Sequence, residues 1–283
     1  VEFRFGRASR PSIRECDIVV QLRQRIHYGP RRHIANQRER LDALRFDQFE
    51  ATLLSPCLGA EIRGVDLAKP MSPTLLDDLR TALVEFKVLF FRDQDITSEE
   101  HAAFAASFGE LEVHPFLPGG ETPNVIRFEK NEETVGVENN WHTDVSWRQE
   151  PSLGSVLRAH AVPDVGGDTL WADVEAVYEG LSAELKAEID DRHAIHDFVH
   201  TFGLALSEEE REKKRIEFPP GRHPIVRTHP VTKRRCRYVN RIFTSHIEGM
   251  DRDESETLLE LLYREIEVAE YQVCLFYPFV SAD

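Results

Sequence analysis

Apolar and polar positions alternate over Phe49-Glu50-Ala51-Thr52-Leu53-Leu54 and again over Ala60-Glu61-Ile62-Arg63-Gly64-Val65, around Pro56 and Gly59. Such alternation beside turn formers predicts two short strands. The period then lengthens. Leu75, Leu76, Leu79, Leu83 and Phe86 fall on one helical face, behind Ser72 as N-cap and Pro73 at the first helical position. Val88-Leu89-Phe90-Phe91 reads as a compact buried strand, and Thr97-Ser98-Glu99-Glu100 as a capping box opening a helix through Phe108, closed by Gly109. From Val113 to Val165 the pattern predicts short strands and polar loops. Helices are expected over 174–181 and 183–189, and strands over 224–227 and 237–239. The stretch 207–214 is charged and reads as mobile. A last amphipathic helix over 253–266 turns Leu258, Leu259, Leu262 and Ile266 inward.

There is no GxGxxG after the first strand and no regular alternation of strand and helix, which excludes a doubly wound nucleotide-binding sheet. The order of elements predicts an α+β, mainly β fold: a double-stranded β-helix (jelly roll, cupin-like) flanked by helices.

Charge refines the boundaries. Residues 1–45 carry eleven Arg against five acidic residues, whereas the remainder carries 24 basic and 45 acidic residues within a net charge of −15. A basic, turn-rich start with little to bury predicts a disordered extension over 1–45 and a folded domain over 46–283. The acidic body argues against nucleic acid as partner. No apolar run is long enough for a membrane span, so no membrane partner is expected. Cys16, Cys57, Cys236 and Cys274 form no CxxC pair, which argues against zinc and disulfide frameworks and for a reducing cytoplasm.

Candidate chemistry centres on Trp141-His142-Thr143-Asp144. On an extended strand, residues two apart face the same way, so an imidazole nitrogen and a carboxylate oxygen can share one metal ion. Trp141 forms a bulky wall beside the pair. The turn Gly166-Gly167-Asp168-Thr169 follows and ends in a hydroxyl. The remaining histidines, including His193, His196, His200, His223, His229 and His246, read as structural or surface residues.

Together with Gly167-Asp168-Thr169-Leu170-Trp171, Gly59–Leu67, Phe90-Phe91-Arg92-Asp93-Gln94, Phe108–Leu111, His114-Pro115 and His223–Pro230, this motif resembles the TauD/TfdA (taurine dioxygenase-like) family of Fe(II)- and 2-oxoglutarate-dependent dioxygenases. The resemblance runs from about Phe49 to Val273. It implies His142 and Asp144 as iron ligands, Thr169 as a hydrogen-bond donor to the 2-oxoglutarate carboxylate, His114 in the substrate pocket, and O2 as co-reactant.

It also implies a second His ligand and a cosubstrate-clamping Arg on closing strands after the last helix. No His follows His246, and Cys274–Phe279 do not resemble an Arg-rich strand. The expected domain is therefore C-terminally incomplete, with unpaired sheet edges that favour low solubility or homo-oligomerisation. Leu117 and Glu138 stand where taurine-cleaving members carry Tyr and Asn; Leu cannot donate to a sulfonate and an ionised Glu repels one. The substrate expected is a small organic acid other than taurine, such as another sulfonate or a sulfate ester. The competing reading is a non-catalytic remnant or pseudoenzyme with a partial metal site. A metal-dependent hydrolase is disfavoured because no general base accompanies the pair.

Overall fold

The computed structural model describes residues 32–117, 119–120, 122, 124–129, 140–163 and 166–275. The chain enters on helix α1 (Arg32–Asp42) and forms strands β1 (Glu50–Leu53) and β2 (Ala60–Arg63). Helix α2 (Pro73–Phe86) then leads to strand β3 (Leu89–Phe91) and helix α3 (Ser98–Ala106). β1 and β2 pair antiparallel, and α2 carries the chain across so that β3 lies parallel to β2. Parallel neighbours need such a crossover, because a tight turn can only reverse the chain.

Local chemistry explains these ends. Ser72 Oγ accepts from the Leu75 N–H with Pro73 directly after it, and Lys87 closes α2 at φ 69°. Thr97 and Glu100 form the reciprocal capping box of α3. Leu79, Ala82 and Phe86 pack with Ile62, Val65, Ile96 and Phe104 into one core. Each large side chain so buried contributes about 1.5–3 kcal/mol.

The expected boundary near Phe46 is too late. α1 lies inside the stretch assigned to the basic extension and docks on the body through Leu41, which is buried. Gln37 adds bonds to the Cys57 carbonyl and the Asp173 carboxylate. These tertiary contacts, which the local pattern does not show, hold a helix whose own sequence is mostly polar. Residues 1–31 lie outside the described residues.

The second half follows with β4 (Thr169–Ala172), α4 (Val174–Gly180), α5 (Ala183–Ile189), β5 (His193–His196), α6 (Glu208–Glu217) and β6 (Gly221–Pro224). After these come β7 (Val226–Thr228), β8 (Arg235–Arg237), β9 (Thr244–Ile247), α7 (Arg252–Arg264) and β10 (Gln272–Leu275). β5 is central in the order β6-β5-β9, antiparallel to both neighbours; β10 pairs with β4, and β7 with β8. Leu258, Leu259 and Leu262 of α7 pack with Ile189, Ala194, Ile225 and Ile247.

Among the described residues the strands form four small sheets flanked by helices, and no closed barrel joins them. Two local expectations change. The described residues between Phe108 and Asp168 contain no strand and form turns, bends and coil. The stretch 207–214 is a helix, because Ser207 and Glu210 form a capping box and Lys213 pairs with Glu209 one turn away. No helix of the described residues is long and apolar enough to cross a membrane.

Candidate metal-binding loop

His142 and Asp144 come together, but on a loop and not on a paired strand: His142 is in coil and Asp144 opens a turn. The two side chains still face each other across Thr143, with His142 Nε2 3.3 Å from Asp144 Oδ1. The Asp144 side chain is 66% exposed and that of His142 30%.

The proton positions follow from the partners. His142 Nδ1 lies 2.8 Å from the Asn140 carbonyl, which can only accept, so Nδ1 carries the proton. In the neutral ring Nε2 then presents a lone pair towards a carboxylate oxygen. Two acceptors at this distance repel unless a second ring proton or a cation lies between them. A ring nitrogen fixed through its opposite N–H to a backbone carbonyl is the arrangement that metal-ligating histidines use. Asp144 also accepts from Ser155 Oγ at 3.4 Å. When the ring carries its second proton, the hydrogen bond from His142 Nε2 holds the Asp144 carboxyl below the usual carboxylate range. The donor set thus fits a divalent metal such as Fe(II). Among the described residues no group of three His, Cys, Asp or Glu converges.

The loop turns abruptly inward after Asp144. Val145 has φ 46°, in the left-handed region that a β-branched residue rarely occupies. Residues 142–144 are exposed, whereas Val145, Ser146 and Trp147 are buried. Ser146 Oγ contacts His196 Nδ1 at 3.0 Å and accepts from Asn240 Nδ2 at 2.9 Å. Trp147 packs among Phe116, Phe198 and Phe218. The Arg148 carbonyl accepts from His223 Nε2 at 2.8 Å. Gly221 of β6 lies so close that a Cβ there would sit 2.8 Å from the Trp147 oxygen and 2.9 Å from that of Arg148. Before the pair, Trp141 packs on the buried cluster of Cys57, Ala176, Val177 and Tyr271, on which Ala172 and Val174 also rest.

The other expected residues are distributed as follows. His114 Nδ1 accepts from the Phe116 and Leu117 N–H groups, so its Nε2 carries the proton in the neutral ring. Burial, reinforced by Arg148, lowers the His114 pKa, while the nearby Asp144 charge opposes that shift. The His114 ring meets Phe202 edge-on at 5.0 Å. Leu117 is half-buried beside it. Thr169 begins β4 opposite Leu275, and Trp171 two residues on meets Phe90 at 5.0 Å. Glu138 lies outside the described residues.

Sequence reasoning passed over Ser146 and Asn240, and took His196 only as one of several structural or surface histidines. His196 lies on β5 and His200 in a separate short 3-10 turn. Its alternation with the buried Ala194 was the available signal.

The His142/Asp144 pair thus stands on a loop beside small sheets covered by helices, with donor types that suit a non-heme oxygenase. Comparison with known proteins makes this specific. A profile of the taurine catabolism dioxygenase TauD, TfdA family matches residues 50–276, and the chain belongs to that family of 2-oxoglutarate-dependent dioxygenases. An alkylsulfatase of Acinetobacter baylyi is 30% identical over 234 residues, covering 80% of this chain and 73% of that protein. An alpha-ketoglutarate-dependent sulfonate dioxygenase of Saccharomyces cerevisiae is 30% identical over 233 residues, covering 78% of this chain. The chain spans only 56% of that yeast protein's length. The crystal structure of a taurine dioxygenase from Burkholderia xenovorans superposes with a TM-score of 0.69 at 34% identity, covering 81% of this chain and 76% of that one. The remnant reading gains no support from these relatives.

Proposed function

We propose that the chain is a Fe(II)- and 2-oxoglutarate-dependent dioxygenase that oxidises a small organic acid, of the sulfate ester or sulfonate type. The observation that carries this reading is His142 Nε2 facing Asp144 Oδ1 at 3.3 Å with Nδ1 committed to the Asn140 carbonyl. The alkylsulfatase and the sulfonate dioxygenase among its relatives support the substrate class. The jelly-roll arrangement expected from the order of elements belongs to the same proposal.

In this reading His142 and Asp144 hold the iron. When bound, Fe(II) with 2-oxoglutarate and O2 supplies the oxidation, with one oxygen atom going to the substrate and one to succinate as CO2 leaves. The protein's part is orientation. The Thr169 hydroxyl donates to a carboxylate oxygen of the cosubstrate. His114, kept neutral by burial, offers its Nε2–H to an anionic oxygen of the substrate. Leu117 packs on an apolar part of the substrate, Trp141 walls the loop, and Glu138 disfavours taurine.

The test is succinate formation from 2-oxoglutarate with Fe(II), ascorbate and a panel of alkyl sulfates, sulfonates and taurine. Turnover is expected with a sulfate ester or a longer sulfonate in preference to taurine, and His142→Ala should reduce it to background. Succinate release that survives His142→Ala would overturn the iron assignment.

A further inference from the structure

Resting on the metal reading above, we propose that Ser146, clasped by His196 and Asn240, is a positioning residue for the His142/Asp144 pair. Three independent features converge on it. The first is the backbone: Val145 at φ 46° stands between the exposed Asp144 and the fully buried Ser146. A β-branched residue in that region is strained and persists only where its surroundings hold it.

The second feature is the direction of the hydrogen bonds. The Asn240 amide is oriented by its own oxygen, which accepts from the Ile242 and Phe243 N–H groups. Its Nδ2–H therefore points to Ser146 Oγ, and the Ser146 hydroxyl proton is left for His196 Nδ1. His196 Nε2 then reaches Thr244 Oγ1 at 3.3 Å, and that oxygen also accepts from the Asn240 N–H. Every bond in this closed circuit has one donor and one acceptor, and Ser146 is the member that belongs to the loop. The third feature is the close approach of Gly221, which admits the Trp147 and Arg148 carbonyls and would admit no side chain.

The consequence is mechanical. Trp141 and Ser146 fix the loop on either side of three exposed residues, so the separation of the two ligand atoms is set by buried contacts and not by the ligands themselves. Losing a group that orients a metal ligand typically weakens metal affinity about 10- to 100-fold.

The experiment uses the full chain, with Mn(II) as an EPR-visible probe in place of Fe(II) and hydrogen–deuterium exchange as a metal-free readout. Ser146→Ala should weaken Mn(II) binding about ten-fold and speed exchange across 141–149. Gly221→Ala, which keeps the hydroxyl but pushes on the same backbone, should do the same. Tyr178→Phe, which removes a hydroxyl bond to Asp190 in another part of the core, should lower stability while leaving Mn(II) affinity within two-fold. Weakening by Tyr178→Phe equal to that by Ser146→Ala would overturn the positioning role, as would unchanged affinity in Ser146→Ala. Should Ser146→Ala not fold, the wild-type chain decides: exchange at 145–148 as fast as at 150–160 would show that no clasp exists. If wild type binds Mn(II) no better than His142→Ala, the metal reading itself fails and the positioning role with it; unchanged exchange in Ser146→Ala sinks the clasp alone.

Discussion

His196 shows what burial does to one side chain. It is fully buried between Ser146 and Thr244, with the Tyr238 ring stacked at 5.6 Å and His223 edge-on at 5.2 Å. Loss of solvent, then the positive ends of His223 and Arg227, lower its pKa from 6.5 to about 3, against a weaker opposing bond to the Tyr238 backbone. The unfolded chain takes up this proton near pH 6.5 and the folded chain only near 3. Between those values the unfolded state binds more protons, so stability falls as pH falls, by up to about 1.4 kcal/mol per pH unit. Urea denaturation at pH 7 and pH 4.5 should show a smaller acid loss for His196→Asn than for wild type. Equal losses would show that His196 does not carry the effect. At this scale His142 and Asp144 are legible from their spacing alone, since residues two apart on extended backbone share a face. Ser146 is not, because a serine after the motif acquires its role only from partners 50 and 94 residues away.

Elements closed by local chemistry match expectation closely. α2 begins at Ser72-Pro73 and α3 at Thr97, because a cap needs only neighbours within one turn. The helix α6 eluded the hydrophobic pattern for the converse reason: it buries no residue, and its order comes from a capping box and ion pairs along its surface. The turn between β1 and β2 combines both kinds of cause. Gly59 has φ +83°, and a Cβ there would lie 3.2 Å from Val273 and 3.3 Å from Phe90. Gly59→Ala therefore meets both backbone strain and a packed neighbour, and should lower stability by about 1–3 kcal/mol. Thermal unfolding would check this; an unchanged midpoint would mean that the turn and Val273 yield without cost.

Across the whole molecule, the two halves are joined by charge as well as by apolar packing. The buried Asp173 caps α4 through the Glu175 and Ala176 N–H groups and also accepts from Gln37 of α1 and Lys87 after α2. Arg234 bonds both Glu85 and Glu175, and Arg40 of α1 pairs with Glu85. Removing one partner of a buried pair strands the other, so Asp173→Ala should cost about 3–5 kcal/mol. The check is the urea midpoint, where a shift no larger than that of an exposed substitution would refute the bridging role. The sequence by itself determined the family, the juxtaposition of His142 with Asp144, and most helices, because each depends on residue identity at short spacing. Only the tertiary structure decided that α1 belongs to the folded body, that the His142–Asp144 segment is a loop, and that Ser146 anchors it. Those outcomes rest on buried contacts between distant segments, where hydrogen-bond satisfaction and close packing override local pattern. Spacing brought His142 and Asp144 together, and long-range burial set where they stand.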